Sequence, residues 1–418
     1  MQTEILKPTS LISLLCSAFC LLSCNGFTAG EFYPVSSLVV TTGFAAGFGT
    51  DPVEGIEVQA ENMSNGAKYL ARTDVRGEAL FSLVPGLYRI SSTYRLSDSG
   101  TDHPKGIYSG SKDKVRFTRE GLTLPLQMIR VEPSPVLIKE IYCGGCKKLP
   151  QEGEYQSDKY MIVHNNSAED YYLDSLCVGV LAPYNSIGNN HWAVRDASGT
   201  LVFKEYAPVI QAVWQFPGSG RDFRLRPGED AVLCFCGAID HTANFPLSVN
   251  LDKEDYFVCY NNKEFPNTLY HPVPGSHIRS DHYMNLVIKL GKANAYTVSI
   301  NSPAVVLFRP KGISIGDFVA DERNISLVPG SSDDRIVCLP WPWILDGVEV
   351  FTPASNNVKR LSPAVDVGYV TLSQTFMQHT LMRRADQEAS SEAGYEVLLD
   401  SNNSSADFYQ RDKQSLHE

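Results

Sequence analysis

The chain has 418 residues and a formal net charge of −11, from 36 Lys+Arg against 47 Asp+Glu. That length allows two to four domains at ~150 residues each. The acidic balance argues against a nucleic-acid partner, which needs Lys/Arg clusters to neutralise phosphates, and against docking on anionic lipid heads.

The first element is an apolar run over residues 11–22, ending in Leu21-Leu22-Ser23-Cys24. A secretory signal needs a short apolar core and a small-residue cleavage site. Leucines and a small residue before a cysteine read as a lipobox. Residues 1–23 are expected to be a lipoprotein signal peptide with Lys7 as its thin basic region. Cys24 is the lipidation site, and residues 24–33 form a tether. After the signal no run reaches the ~18 apolar residues of a membrane-spanning helix. The expectation is a lipid-anchored outer-membrane protein, periplasmic or surface-facing. Of the ten cysteines, Cys143, Cys146, Cys177, Cys234, Cys236, Cys259 and Cys338 remain beyond the anchor. The number is odd, and several lie in apolar strand-like contexts, so mostly free thiols are expected.

From there on the pattern is all-β: short alternating runs separated by Gly, Pro, Asn and Asp. In residues 34–131, Ile56 and Val58 alternate with polar residues. Asn65-Gly66 suits a hairpin turn, and residues 74–77 suit a second one. Ala79, Phe81 and Leu83 share a face. Pro85-Gly86 predicts a type II turn with positive φ at Gly86, after which Tyr88 and Ile90 resume alternation. The string T-D-x-x-G-x-x-x-F-x-L-x-P-G-x-Y-x-I over residues 73–90 resembles the transthyretin-like, or carboxypeptidase regulatory-like, sandwich family. The resemblance implies a non-catalytic spacer, stalk or docking module.

Residues 134–418 read as one elaborated sandwich with long insertions. Residues 136–142 and 159–167 are predicted strands. Residues 225–229 make a turn into a strand over 231–237. Residues 304–309 form a further strand, and residues 344–350 suggest a strand pair. Lys139-Glu140-Ile141-Tyr142, the run 158–167 and Leu225-Arg226-Pro227-Gly228-Glu229 resemble the lamin-tail domain, an immunoglobulin-like sandwich. Met161 stands where that family has isoleucine. The strings at 214–220, 238–242, 341–349, 359–361, 366–369 and 400–408 resemble a Bacteroidetes lipoprotein family known only as a domain of unknown function. That resemblance implies an outer-membrane lipoprotein without assigned activity, of a kind often beside receptors for energised uptake.

Standard catalytic signatures are missing: no H-E-x-x-H, no G-x-S-x-G and no G-K-[ST]. The glycine-rich run 43–49 lacks the lysine and helix of a phosphate cradle. Cys143-Gly144-Gly145-Cys146 is the sharpest local candidate: free thiols, a local disulfide, or half of a metal site. Cys234 and Cys236 on one strand face, with His241 just beyond, are the candidates to complete that site. His271, His277 and His282 lie in a loop and read as solvated. Trp341-Pro342-Trp343 reads as a buried anchor, and residues 400–404 as a backbone-satisfying turn. The expectation is therefore an all-β protein of two β-sandwich domains, with no catalytic residue, cofactor or enzyme activity. Its role would be binding or scaffolding in an envelope complex, with an outer-membrane receptor or other envelope protein as partner. The alternatives are a fimbrial or adhesin subunit that donates a strand, and a hydrolase hidden in the insertions 181–225 or 263–300.

Overall fold

The computed structural model describes residues 34–44, 52–96, 106–196, 201–354 and 356–417. The signal segment, Cys24, the tether and the glycines at 47 and 49 lie outside these residues. The chain is all-β, and the helices among the described residues are short, such as Ile315–Ala320 and Gln387–Ala393.

Seven strands come first: β1 (Ser36–Phe44), β2 (Glu57–Asn62), β3 (Lys68–Arg72), β4 (Glu78–Leu83), β5 (Gly86–Leu96), β6 (Gly106–Phe117) and β7 (Leu122–Arg130). They are hydrogen-bonded in the order β3-β2-β5-β6-β7-β1-β4. β1 runs parallel to β7, with Leu38 opposite Leu122. β6 and β7 pair at Tyr108–Arg130 and Ser109–Ile129. The sheet folds over at this narrow seam, and its halves enclose Leu38, Val58, Phe81, Ile90 and Leu126.

Local chemistry explains the hairpins. Gly66 and Gly77 sit at φ 72° and 73°, a region open mainly to glycine. Asp74 Oδ1 accepts from the backbone N–H of Arg76 and Glu78, closing the second turn. Ala79, Phe81 and Leu83 are buried while Leu80 is 65% exposed, as period-two alternation requires. Two expectations fail here. Gly86 opens β5 in ordinary extended backbone and not at positive φ; a Cβ there would press on the Tyr88 ring at 3.2 Å. The alternation at Tyr88 and Ile90 leaves nothing exposed there, because Arg89 and Ser91 on the opposite face are buried too. That face packs against the rest of the chain.

In the second part, β8 (Val136–Tyr142) lies between Tyr160–Asn165 and Thr380–Arg383 in a six-stranded sheet. An eight-stranded sheet faces it, with Tyr206–Gln215, Cys177–Leu181, Ala304–Phe308 and Ile344–Phe351 as inner strands. Ile138, Val163, Trp214, Leu233, Leu307 and Val350 fill the space between them, which makes this a sandwich. The run expected as a strand pair is the single strand Ile344–Phe351. Gly228 at φ 76° closes the predicted turn after Leu225. Trp341–Trp343 is a 3-10 turn. Trp343 is buried against Phe318, and Trp341 donates Nε1–H to the Lys204 carbonyl at 2.8 Å.

Two tight networks hold buried charges around Glu349 and Arg383. Glu349 accepts from Lys359 Nζ and from the backbone N–H of Arg360 at 2.9 Å. Arg383 donates to both Asp346 oxygens at 2.9 and 2.7 Å and lies near Asp400 and Asp407. Asp400 also accepts the Ser134 N–H at 3.0 Å, a backbone group far along the chain and outside its own turn.

Candidate functional site

The covered face of β5 leads to a cleft between the two sandwiches. Arg89 is 2% exposed. Its guanidinium lies 3.5 Å from the centroid of the Tyr369 ring, and Tyr369 stacks on Phe351 at 3.9 Å. Cation and ring faces attract most when water is excluded. Tyr369 is fixed by reciprocal bonds with Ser405: its N–H donates at 3.1 Å and its carbonyl accepts at 2.6 Å. Burial pushes the Tyr369 hydroxyl up to about 12, and the nearby Arg89 pulls the other way. Two more contacts hold the same strand: Arg95 Nη2 to Asp386 Oδ2 at 2.7 Å, and Asn403 Nδ2 to Thr93 Oγ1 at 3.1 Å.

Opposite Arg89 the β5–β6 ladder is broken. Tyr88 pairs with Val115 and Ile90 with Lys112, so Asp113 and Lys114 bulge from β6. Lys114 takes φ 55°. Bulges of this kind re-aim side chains beside functional sites. Here they turn Lys112, Asp113 and Lys114 into a cavity of about 410 Å³. Phe203 and Leu201 close it from one short hairpin, while Lys359 and Val367 close it from another segment. Two buried polar atoms in this wall, Arg89 Nε and Asp113 Oδ1, have no partner.

The residues proposed from sequence lie elsewhere. The seven cysteines among the described residues are free thiols. Cys143 packs in the core between the sheets, whereas Cys234 packs on the outer side with Tyr142 and Tyr160. The strand ends at Cys234, so Cys236 does not share its face by alternation. Cys146 Sγ donates to Asp158 Oδ2 at 3.7 Å. Both ring nitrogens of His241 are engaged, with the Tyr155 hydroxyl at 2.7 Å and the Gly237 carbonyl at 2.5 Å. Among the described residues these groups do not converge on one ligand point. The donor set that does converge is His164, Asp230 and Glu396. Lys139 Nζ already occupies it, at 2.6 Å from Asp230 Oδ2 and paired with Glu396, so it is an ion-pair network. His271 and His282 are buried rather than solvated; His277 is exposed and paired with Asp252 at 2.8 Å.

Sequence reading missed the cleft. The one local signal was Lys112-Asp113-Lys114-Val115-Arg116, an unusual concentration of cations on a strand of an acidic protein. Tyr369 belonged to a quoted family string but carried no role.

The fold and site define an all-β protein of two sandwiches with a cleft between them. Residues 226–415 match the model of a family described as a protein of unknown function, DUF4876. The chain is also similar to a DUF4876 family protein from Bacteroides thetaiotaomicron: TM-score 0.55, 24% identity, covering 89% of this chain and 94% of that one. That likeness shows the fold. Two weaker likenesses are to a Bacteroides ovatus protein described as a candidate adhesin and to the TIE protein of Bacillus anthracis. The first has TM-score 0.20 and 14% identity over 56% of this chain and 70% of that one. The second has TM-score 0.16 and 13% identity over 47% and 32%. Neither is close enough to bear on fold or function. No curated protein matches the chain.

Proposed function

We propose that the chain is a non-enzymatic binding or scaffold component of an envelope complex, held at the outer membrane through an acylated Cys24 and supporting receptor-mediated uptake. Residues 34–131 serve as a transthyretin-like stalk, and residues 134–418 as a lamin-tail-like sandwich that presents loops. One observation carries the reading: a cleft built by both sandwiches, with its floor locked by Arg89 on Tyr369. Preorganised walls are what a binding site needs. The carboxylates beside it fit structural duty. Glu349 holds Lys359 and Arg360, and Asp366 accepts from Gly368 N–H at 2.8 Å and Ser404 N–H at 2.9 Å.

The test is a photo-crosslinking amino acid at Phe203 in intact cells. A discrete envelope partner, lost together with outer-membrane retention in a Cys24→Ser strain, is the expected result. Recovery of the protein always alone refutes the complex. SDS-resistant ladders would instead favour a strand-donating surface subunit.

A further inference from the structure

We infer that the cleft between the sandwiches binds a hydroxylated organic anion of about disaccharide size, an acidic sugar bearing carboxylate or sulfate. This rests on the cleft being the binding site, as proposed above.

Charge comes first. The chain as a whole is at −11, yet the cleft is lined by six cationic side chains and one carboxylate. Two of the cations are already answered inside the protein: Arg89 by Glu61 at 3.8 Å, and Lys359 by Glu349. Lys112, Lys114 and Arg116 are different. None of them forms an ion pair with a carboxylate among the described residues, and Lys112 and Lys114 are half-buried. A cation in a partly dry wall interacts more strongly with an anion than one in open water.

Backbone geometry points the same way. Lys114 holds φ 55°, a conformation that disfavours any residue with a Cβ. A glycine would form the same bulge without strain. Strained residues of this kind cluster where a side chain has a task. The bulge also aims the lysine at the cavity its neighbours line.

Asp113 narrows the ligand class. It is the one carboxylate in the cavity lining, so the site offers an acceptor among cations. A bare inorganic anion would be repelled there. A ligand whose hydroxyls donate to Asp113 while its acid group meets Lys112 and Arg116 uses both. Phe203, Leu122 and Val367 supply the apolar faces on which a sugar ring can lie. The volume of about 410 Å³ lies within the usual range for small-ligand sites.

The experiment is calorimetric titration of the full chain with digalacturonate, a sulfated chondroitin disaccharide, citrate and neutral lactose. Either acidic disaccharide should bind with a Kd below about 1 mM. Binding should weaken about tenfold or more in Lys112→Gln/Arg116→Gln, and markedly between about 50 and 500 mM salt. Neither side chain has an ion-pair partner among the described residues, so thermal unfolding of this variant should match wild type. Lys114→Gly keeps the bulge and removes the charge; it should bind more weakly while melting at or above wild type. Failure of both acidic disaccharides, or binding unchanged in both variants, overturns the inference. Lactose binding that is lost in Phe203→Ala, with no acid binding, would also overturn it and would leave the cleft standing as a binding site.

Discussion

Replacing Glu349 with glutamine removes one negative charge from a place without water. Glu349 is fully buried, as is Arg360, and Lys359 is 7% exposed. Burial pushes the Arg360 guanidinium down, and Glu349 pushes back. In the variant Arg360 keeps its bonds to the carbonyls of Pro183, Ser302, Pro303 and Val350. Lys359 keeps only Asp366, at 4.0 Å. The new amide would also face donors with a donor. Two charge-assisted bonds are weakened and one buried cation is left uncompensated, a loss of about 3–5 kcal/mol. In a domain of this size that lowers the melting temperature by roughly 10 °C. Scanning calorimetry of the variant beside wild type reads the difference. A Glu349→Gln protein within about 1 kcal/mol of wild type refutes the account of the network.

Two further predictions concern protons and thiols. Burial holds the His271 imidazole down to about 4, and its Nε2 accepts the Asn261 N–H at 3.1 Å. The folded state therefore excludes a proton that the unfolded chain binds near pH 6.5. His271 should contribute to stability above that pH and lose the contribution as pH falls toward 4; an imidazole NMR titration midpoint above about 5.5 would contradict it. Burial likewise pushes the thiols of Cys143, Cys146 and Cys177 up to about 12. At pH 8 a maleimide should modify Cys338, which is half-buried, and reach the other six described cysteines only in urea. Rapid native labelling of Cys143 or Cys146, read by mass spectrometry, would refute their packing.

Local rules made much of the fold legible. Asn65-Gly66, the Asp74 turn and the alternation of Ala79, Phe81 and Leu83 each encode their structure within a few residues. So does Leu225 to Glu229. Gly86 misled because glycine can serve space as well as φ, and only the folded chain shows the Tyr88 ring against it. Arg89 was hidden for a deeper reason. On a strand with one wet face, an arginine between Tyr88 and Ile90 belongs outside, and what covers it lies 280 residues further along at Tyr369. The ladder break that creates the cleft is a mismatch between two strands, so neither strand carries it alone. The cysteines misled through distance as well: Cys143 and Cys234 lie on opposite sides of one sheet, which spacing along the chain does not reveal.

Arg89, Thr93 and Arg95 all belong to β5, so the first sandwich meets the second largely through one strand. Any graft that puts a different sandwich in front of residue 134 would remove the lid of Tyr369 and open its stack with Phe351 to water. Conversely, a fragment of residues 34–131 produced by itself would carry Arg89, Ser91 and Thr93 on a face shaped for a neighbour. The two halves are thus a matched pair rather than interchangeable parts, and homologous exchange between relatives should succeed only when β5 travels with the segment that contains Tyr369.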